Sequence, residues 1–172
     1  KIFDEYSSRV NLWCTINEPE VYSMMGYFVG VFPPGQKNPN QAVNVLKNLL
    51  VAHTAVYTKL KSLKNGEKSK IGIVKNVMQF DPYRRWNLLD WIVCILTNNI
   101  YNGIALSYLK TGKINIRIPF FININYSNPL AAKKTDFFGL NYYSHSHLRF
   151  KANINEFFEN KFFAKDTMTD MP

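Results

Sequence analysis

Trp13-Cys14-Thr15-Ile16-Asn17-Glu18-Pro19 is the stretch on which the reading of this chain turns. It closes a short apolar run from Val10 to Ile16, rich in β-branched and aromatic residues and read as a buried strand. The run ends in an amide, a carboxylate and a proline. Side chains at the C-terminal ends of parallel strands face the crevice where α/β proteins bind ligands. Pro19 stops the strand and is expected to push Glu18 into an extended conformation. A carboxyl at the rim of an apolar strand is partly desolvated, which suits it to general-acid work. The same residue at the same place could equally cap the segment that follows, and pattern alone leaves both readings open.

Outward from this stretch, helix and strand alternate. Residues 2–9 read as an amphipathic helix. A loop punctuated by Gly26, Gly30, Pro33, Pro34 and Gly35 follows Pro19. Asn40 is expected to cap a helix from about Gln41 to Leu63, with an apolar stripe through Val45, Leu49, Ala52 and Val56. Asn65-Gly66 ends it, and Lys70 to Val77 reads as the next strand. Trp86 to Leu109 is helical by period, Thr111-Gly112 stops it, and Asp136 to Tyr143 is a third buried strand. Strand, helix, strand, helix, strand is the pattern of parallel β-structure with crossover helices, an α/β fold. Ile114, Ile116, Ile118, Ile122 and Ile124 alternate with other residues around Pro119, the signature of a half-exposed hairpin or edge segment. The tail from Lys151 reads as an irregular loop.

Composition narrows the functional classes. The 172 residues are 47% hydrophobic and 15% aromatic, ample for a packed core and unlike a disordered tail or a low-complexity linker. Twenty-one Lys and Arg against 12 Asp and Glu give a net charge of +9. Six lysines crowd positions 59–75, but Lys59, Lys61 and Lys64 fall in the last turn of a helix, where cations complement the dipole. With no finger, helix-turn-helix or RNA signature, the cluster reads as a solvated basic surface and no nucleic-acid partner is expected. The longest unbroken apolar run, Trp91 to Leu96, is far short of the roughly 20 residues of a membrane span, so no membrane partner is expected. Cys14 and Cys94 lie far apart, which fits a reduced, cytoplasmic setting. His145-Ser146-His147 lacks a third ligand or a carboxylate partner in the sequence nearby, and neither a metal nor another cofactor is expected. His53, on the apolar side of its helix, reads as a core histidine.

Trp13-x-Thr-x-Asn-Glu-Pro resembles the acid/base motif of glycoside hydrolase family 1, the β-glucosidase and phospho-β-glucosidase family. Gly26-Tyr-x-x-Gly30-x-x-Pro-Pro-Gly35 is similar to the loop after that motif, Ala52-His53 to part of the next barrel helix, and Ile71-Gly-Ile-Val to the fifth strand. Asp136-Phe-Phe-Gly-Leu-Asn-Tyr-Tyr143 is similar to the sixth. The resemblance implies part of a (β/α)8 TIM barrel, about strands four to six with their helices, with residues 1–172 a single incomplete segment of the glycosidase domain. It implies hydrolysis of β-glucosides or related sugars with retention, with Glu18 as general acid and then general base. Asn17 would bond the sugar 2-hydroxyl, Asn141 and Asn76 would line the sugar site, and Tyr143 would hold the nucleophilic carboxylate. The expected partners are a β-glycoside or oligosaccharide and the remaining barrel segments.

That nucleophile belongs, in the family, to a Thr-Glu-Asn-Gly motif. None of the six glutamates here occupies one, and Glu159-Asn160 has the wrong neighbours, Phe158 and Lys161. The chain alone is therefore expected to be inactive, with a non-catalytic, weakly sugar-binding remnant as the alternative reading. Glu20, where many members carry an aromatic, and Gly112-Lys-Ile-Asn-Ile-Arg-Ile-Pro119 depart from the family pattern. Both are expected to bear on the leaving-group side of the site.

Overall fold

The computed structural model describes residues 1–118, 122–143, 145–152 and 158–161. They divide into two compact units: Lys1–Asn76 with Ala105–Leu140, and Val77–Ile104 with the chain from Asn141 onward.

In the first unit, helix α1 (Ile2–Tyr6) leads into strand β1 (Leu12–Asn17), helix α2 (Pro19–Met24) and a π-helical turn over Met25–Val29. Helix α3 (Pro39–Lys61) then leads to β2 (Lys70–Asn76), which pairs in parallel with β1. Strand β6 (Phe137–Asn141) lies on the other side of β2, giving the sheet order β1-β2-β6. This is the expected strand–helix–strand arrangement of a partial barrel, and the described residues form no closed one. The hairpin around Pro119 is also present: β4 (Lys113–Ile118) and β5 (Ile122–Ser127) pair antiparallel with Ile114 opposite Tyr126 and Ile116 opposite Ile124. Pro119 itself lies outside the described residues.

Val10 to Ile16 and Asp136 to Tyr143 were expected to be buried strands, but of the three strands only β2 is largely buried. Leu12 is 64% exposed and Cys14 is exposed, while Trp13 and Thr15 between them are half-buried, so β1 is covered on its helix side alone. Strand β6 is likewise half-buried. As the outer members of the order β1-β2-β6, both lack a strand on one side.

Helix α3 corrects two expectations. Its N-cap is Asn38, whose side chain accepts from the Gln41 amide at 3.1 Å, because Pro39 takes the first helical position, where a missing N–H costs nothing. Asn40 instead accepts the Asn123 amide of β5. The buried face runs through Ala42, Val43, Leu46, Leu50, His53 and Thr54, while Ala52 and Val56 are exposed. Two polar residues continue the stripe because each is hydrogen-bonded: Thr54 with the Tyr108 hydroxyl (3.2 Å), His53 with Thr15 (2.6 Å). Asp136 ties the base of the sheet to this helix, accepting from Lys61 (2.6 Å), the Tyr57 hydroxyl (2.9 Å) and the Ile71 amide (2.8 Å).

The second unit holds β3 (Gln79–Pro82), helix α4 (Leu88–Asn98), β7 (His145–Phe150) and β8 (Phe158–Lys161), with sheet order β3-β7-β8. Strand β8 falls in the tail that was expected to be a loop; its backbone pairs antiparallel with β7, Arg149 opposite Glu159. Phe80, Leu148 and Phe150 pack under Val93 and Cys94 of α4. Asn87 caps α4, accepting from the Leu89 and Asp90 amides. A π-helical turn over Asn99–Gly103 continues it into α5 (Ile104–Thr111). The run Leu88–Thr111 contains an 18-residue stretch with a mean hydropathy of 1.3, and by length and composition alone it could cross a membrane, which a count of unbroken apolar residues misses. Its polar positions show what it is built for here. Asp90 is buried on Arg84, and Asn102 clamps the backbone of Met78.

Candidate active site

The end of β1 carries the geometry. Cys14 pairs with Gly72 but Asn17 pairs with Val74, so β1 holds one more residue than β2 over this span. Such a bulge re-aims the side chains beyond it and recurs next to active sites. The Glu18 amide donates to the Val74 carbonyl at 2.8 Å, and the Glu18 carbonyl accepts from the amides of Val21 and Tyr22. Between these anchors Glu18 is not extended, as Pro19 suggested, but left-handed at φ 49° and ψ 57°. The residue before proline is barred mainly from the right-handed helical region. Here the strand-to-helix turn, bonded at both ends, selects the left-handed well.

Asn17 is exposed and Glu18 half-buried at the C-terminal end of β1, while Asn76 ends the neighbouring β2 and is largely buried. The structure thus brings Asn17, Glu18 and Asn76 to the same end of one parallel strand pair. Asn141 ends β6, its carbonyl accepting from Val77 at 2.8 Å, and Tyr143 follows two residues on. Both are half-buried and belong to the second unit, whereas Tyr142 faces out.

Three features escaped the sequence reading. The Thr15 hydroxyl donates to the Gly72 carbonyl (3.1 Å), so its single proton is used and it must accept the Nδ1–H of His53. The motif threonine thereby locks β1 to β2 and α3, and burial pushes the His53 imidazole below its usual pKa.

Glu20 does not line a leaving-group surface. It is 0% exposed and faces Lys75 of β2, itself 1% exposed, with Oε1 to Nζ at 3.0 Å. This approach lies outside hydrogen-bond geometry, and the ammonium donates instead to the Asn76 carbonyl at 3.0 Å. Burial raises the Glu20 carboxyl above its ordinary pKa; Lys75 pulls it back and the charge of Glu18 pushes the same way as burial. Burial likewise lowers Lys75. Lys75 is therefore no part of a solvated basic surface, and Lys61 of the same cluster is held by Asp136. One lysine inside an apolar strand, with a glutamate directly after the motif, was the available signal.

The third is a carboxylate partner for the paired histidines: Asp81 of β3 meets His145 of β7 with Oδ2 to Nε2 at 2.7 Å.

A parallel strand pair joined by a covering helix, with an amide and a carboxylate at its C-terminal end, is the repeating unit of a β/α barrel with polar groups at the end where such barrels bind ligands. The profile described as Glycosyl hydrolase family 1 matches residues 1–169, and the chain belongs to that family of β-glucosidases. It is 32% identical over 169 residues to "Beta-glucosidase 26, peroxisomal" of Arabidopsis thaliana, covering 83% of this chain and 29% of that protein. It is 31% identical over 159 residues to "Beta-glucosidase A" of Thermotoga maritima, covering 83% and 33%. Among solved structures, the β-glycosidase from Pyrococcus horikoshii superposes with a TM-score of 0.76 at 34% identity, over 93% of this chain and 35% of its own. The chain thus spans about a third of the length of these relatives.

Proposed function

We propose that this chain supplies the acid/base portion of a retaining β-glycosidase. The observation that carries the reading is Glu18 at the bulged end of β1, fixed by its amide to Val74 and flanked by Asn17 and Asn76. In the reaction Glu18 protonates the glycosidic oxygen while a second carboxylate attacks the anomeric carbon, releasing the alcohol and leaving a glycosyl ester. The Glu18 carboxylate, now deprotonated, takes a proton from water as the water attacks that ester, which restores both groups. Asn17 bonds the 2-hydroxyl, a contact that strengthens in the oxocarbenium-like transition state. Asn76 and Asn141 line the sugar site and Tyr143 orients the second carboxylate. That carboxylate comes from outside residues 1–172, so the chain alone turns nothing over.

The test has two arms. The purified chain is incubated with an aryl β-glucoside, alone and with the flanking barrel segments of a relative supplied in trans. No hydrolysis above buffer is expected alone, and hydrolysis in the completed barrel. There Glu18→Gln should cut cleavage of an unactivated disaccharide by at least about 100-fold, while activated aryl glucosides accumulate as glycosyl-enzyme. Turnover by the isolated chain, or disaccharide cleavage by Glu18→Gln at the parent rate, would overturn the assignment. A completed barrel that binds sugar without cleaving it would favour the rival reading, a non-catalytic remnant.

A further inference from the structure

We propose that Asp81, His145 and His147 form a binding site for a divalent first-row transition-metal ion, with Zn2+ the ion their chemistry fits best. All three lie in the second unit. Strands β3 and β7 pair in parallel with Asp81 opposite His147 and Gln79 opposite His145. Side chains alternate across a sheet, so Gln79, Asp81, His145 and His147 share one face. The other face, through Phe80, Leu148 and Phe150, is packed under α4 and holds the two strands in register.

The donors are already gathered. One ligand atom from each of the three residues lies within 4.8 Å of the others. The imidazole centroids are 4.3 Å apart and inclined at 39°. Bonds of about 2.0–2.2 Å in a tetrahedral site place ligand atoms roughly 3.3 Å from each other. The 2.7 Å contact between His145 and Asp81 must therefore open by about half an ångström, and the wider separations must close by about 1.5 Å at most. Side-chain rotation on a fixed sheet covers both. The proton shared between His145 Nε2 and Asp81 Oδ2 leaves to solvent, or moves to Nδ1, as the ion takes its place. Two imidazoles and one carboxylate select Zn2+ and its neighbours over Mg2+ or Ca2+, which prefer oxygen ligands. Three protein ligands leave a fourth position for water. Gln79 donates to Asp81 Oδ2 at 3.0 Å, the kind of outer hydrogen bond that orients a ligating carboxylate.

The test titrates the full 172-residue chain, freed of metal, with Zn2+ by calorimetry and with Co2+ by visible absorption. One ion per chain is expected, with the intense d–d bands of four-coordinate Co2+. His145→Ala and His147→Ala should each weaken binding by about 100-fold, and Gln79→Leu by about tenfold. His53 is the third histidine of the chain, and His53→Gln should leave the affinity unchanged. Should a ligand variant misfold, the imidazole nitrogens of the parent chain report directly: Zn2+ should shift those of His145 and His147 and not those of His53. Weak octahedral Co2+ bands, undiminished binding in His145→Ala/His147→Ala, or unshifted imidazoles would each overturn the proposal.

Discussion

Replacing Lys75 with methionine isolates the buried pair that Lys75 forms with Glu20, two residues after Glu18. At 3.0 Å, and with an effective dielectric constant of about 20, the attraction between Lys75 and Glu20 amounts to about 5–6 kcal/mol, which offsets a desolvation cost of several kcal/mol per ion. Deleting one partner leaves the other charge buried, so Lys75→Met should destabilise the chain by about 3–5 kcal/mol near neutral pH. The loss should depend on pH with a definite sign. Burial already raises the Glu20 carboxyl above 4.5, and without Lys75 it rises further. The folded variant then binds more protons than the unfolded chain between 4.5 and the raised value. Its stability is greatest below 4.5 and declines as pH rises through the folded pKa. Lys75→Met should accordingly lie below the parent at pH 4.5 by only the lost Asn76 donor, about 1–3 kcal/mol, and fall further below it toward pH 8. In Glu20→Met/Lys75→Met neither charge is stranded, and the Asn76 carbonyl loses the Lys75 donor, a cost of about 1–3 kcal/mol. Urea unfolding at several pH values, with slopes compared, measures all three chains. A loss in Lys75→Met that is flat with pH, or a double variant no more stable than the single one, would refute the reasoning.

Asp90 takes four hydrogen bonds, three from Arg84 and one from the Phe150 amide, and the Arg84 guanidinium foremost holds its carboxyl at about 2. Its stabilisation is present above the unfolded value of 3.8 and disappears as pH falls through 2, a loss of about 2 kcal/mol that acid titration of unfolding should show and Asp90→Asn should lack. A Cβ on Gly72 would sit 2.5 Å from the Phe137 carbonyl oxygen, so Gly72→Ala must push β6 off β2 and should cost at least about 1–3 kcal/mol by urea unfolding. Gly103→Ala meets nothing nearer than 3.8 Å, and in the same assay should be neutral or stabilising by up to about 1 kcal/mol.

The strands of the sheet were legible because Val10–Ile16, Lys70–Val77 and Asp136–Tyr143 are apolar runs bounded by turn residues, and the isoleucine alternation gave the β4–β5 hairpin directly. What failed has physical causes. His53 was read as a core histidine and is one, but the rest of the buried face of α3 was misassigned, in part because hydrophobicity alone skips Thr54, whose hydroxyl is bonded inside. Strand β3 is four residues long and includes aspartate and proline, so no period marks it. Helix α2 and its π turn lie in a Gly-rich stretch that reads as loop. At the site, Asn17 and Glu18 followed from the motif. The pairs Glu20–Lys75 and Asp81–His145 join positions 55 and 64 residues apart, and such partners meet only once the parallel register is set.

The left-handed backbone of Glu18 sets stability against chemistry at a single position. A side chain other than glycine in that well costs roughly 1–2 kcal/mol, and the bulge and the Val74 hydrogen bond hold it there. Glycine at position 18 would relieve that strain and delete the proposed proton donor in the same step. A screen that rewards melting temperature alone should therefore enrich Glu18→Gly, and would discard the chain's proposed chemistry as the direct result of improving its fold.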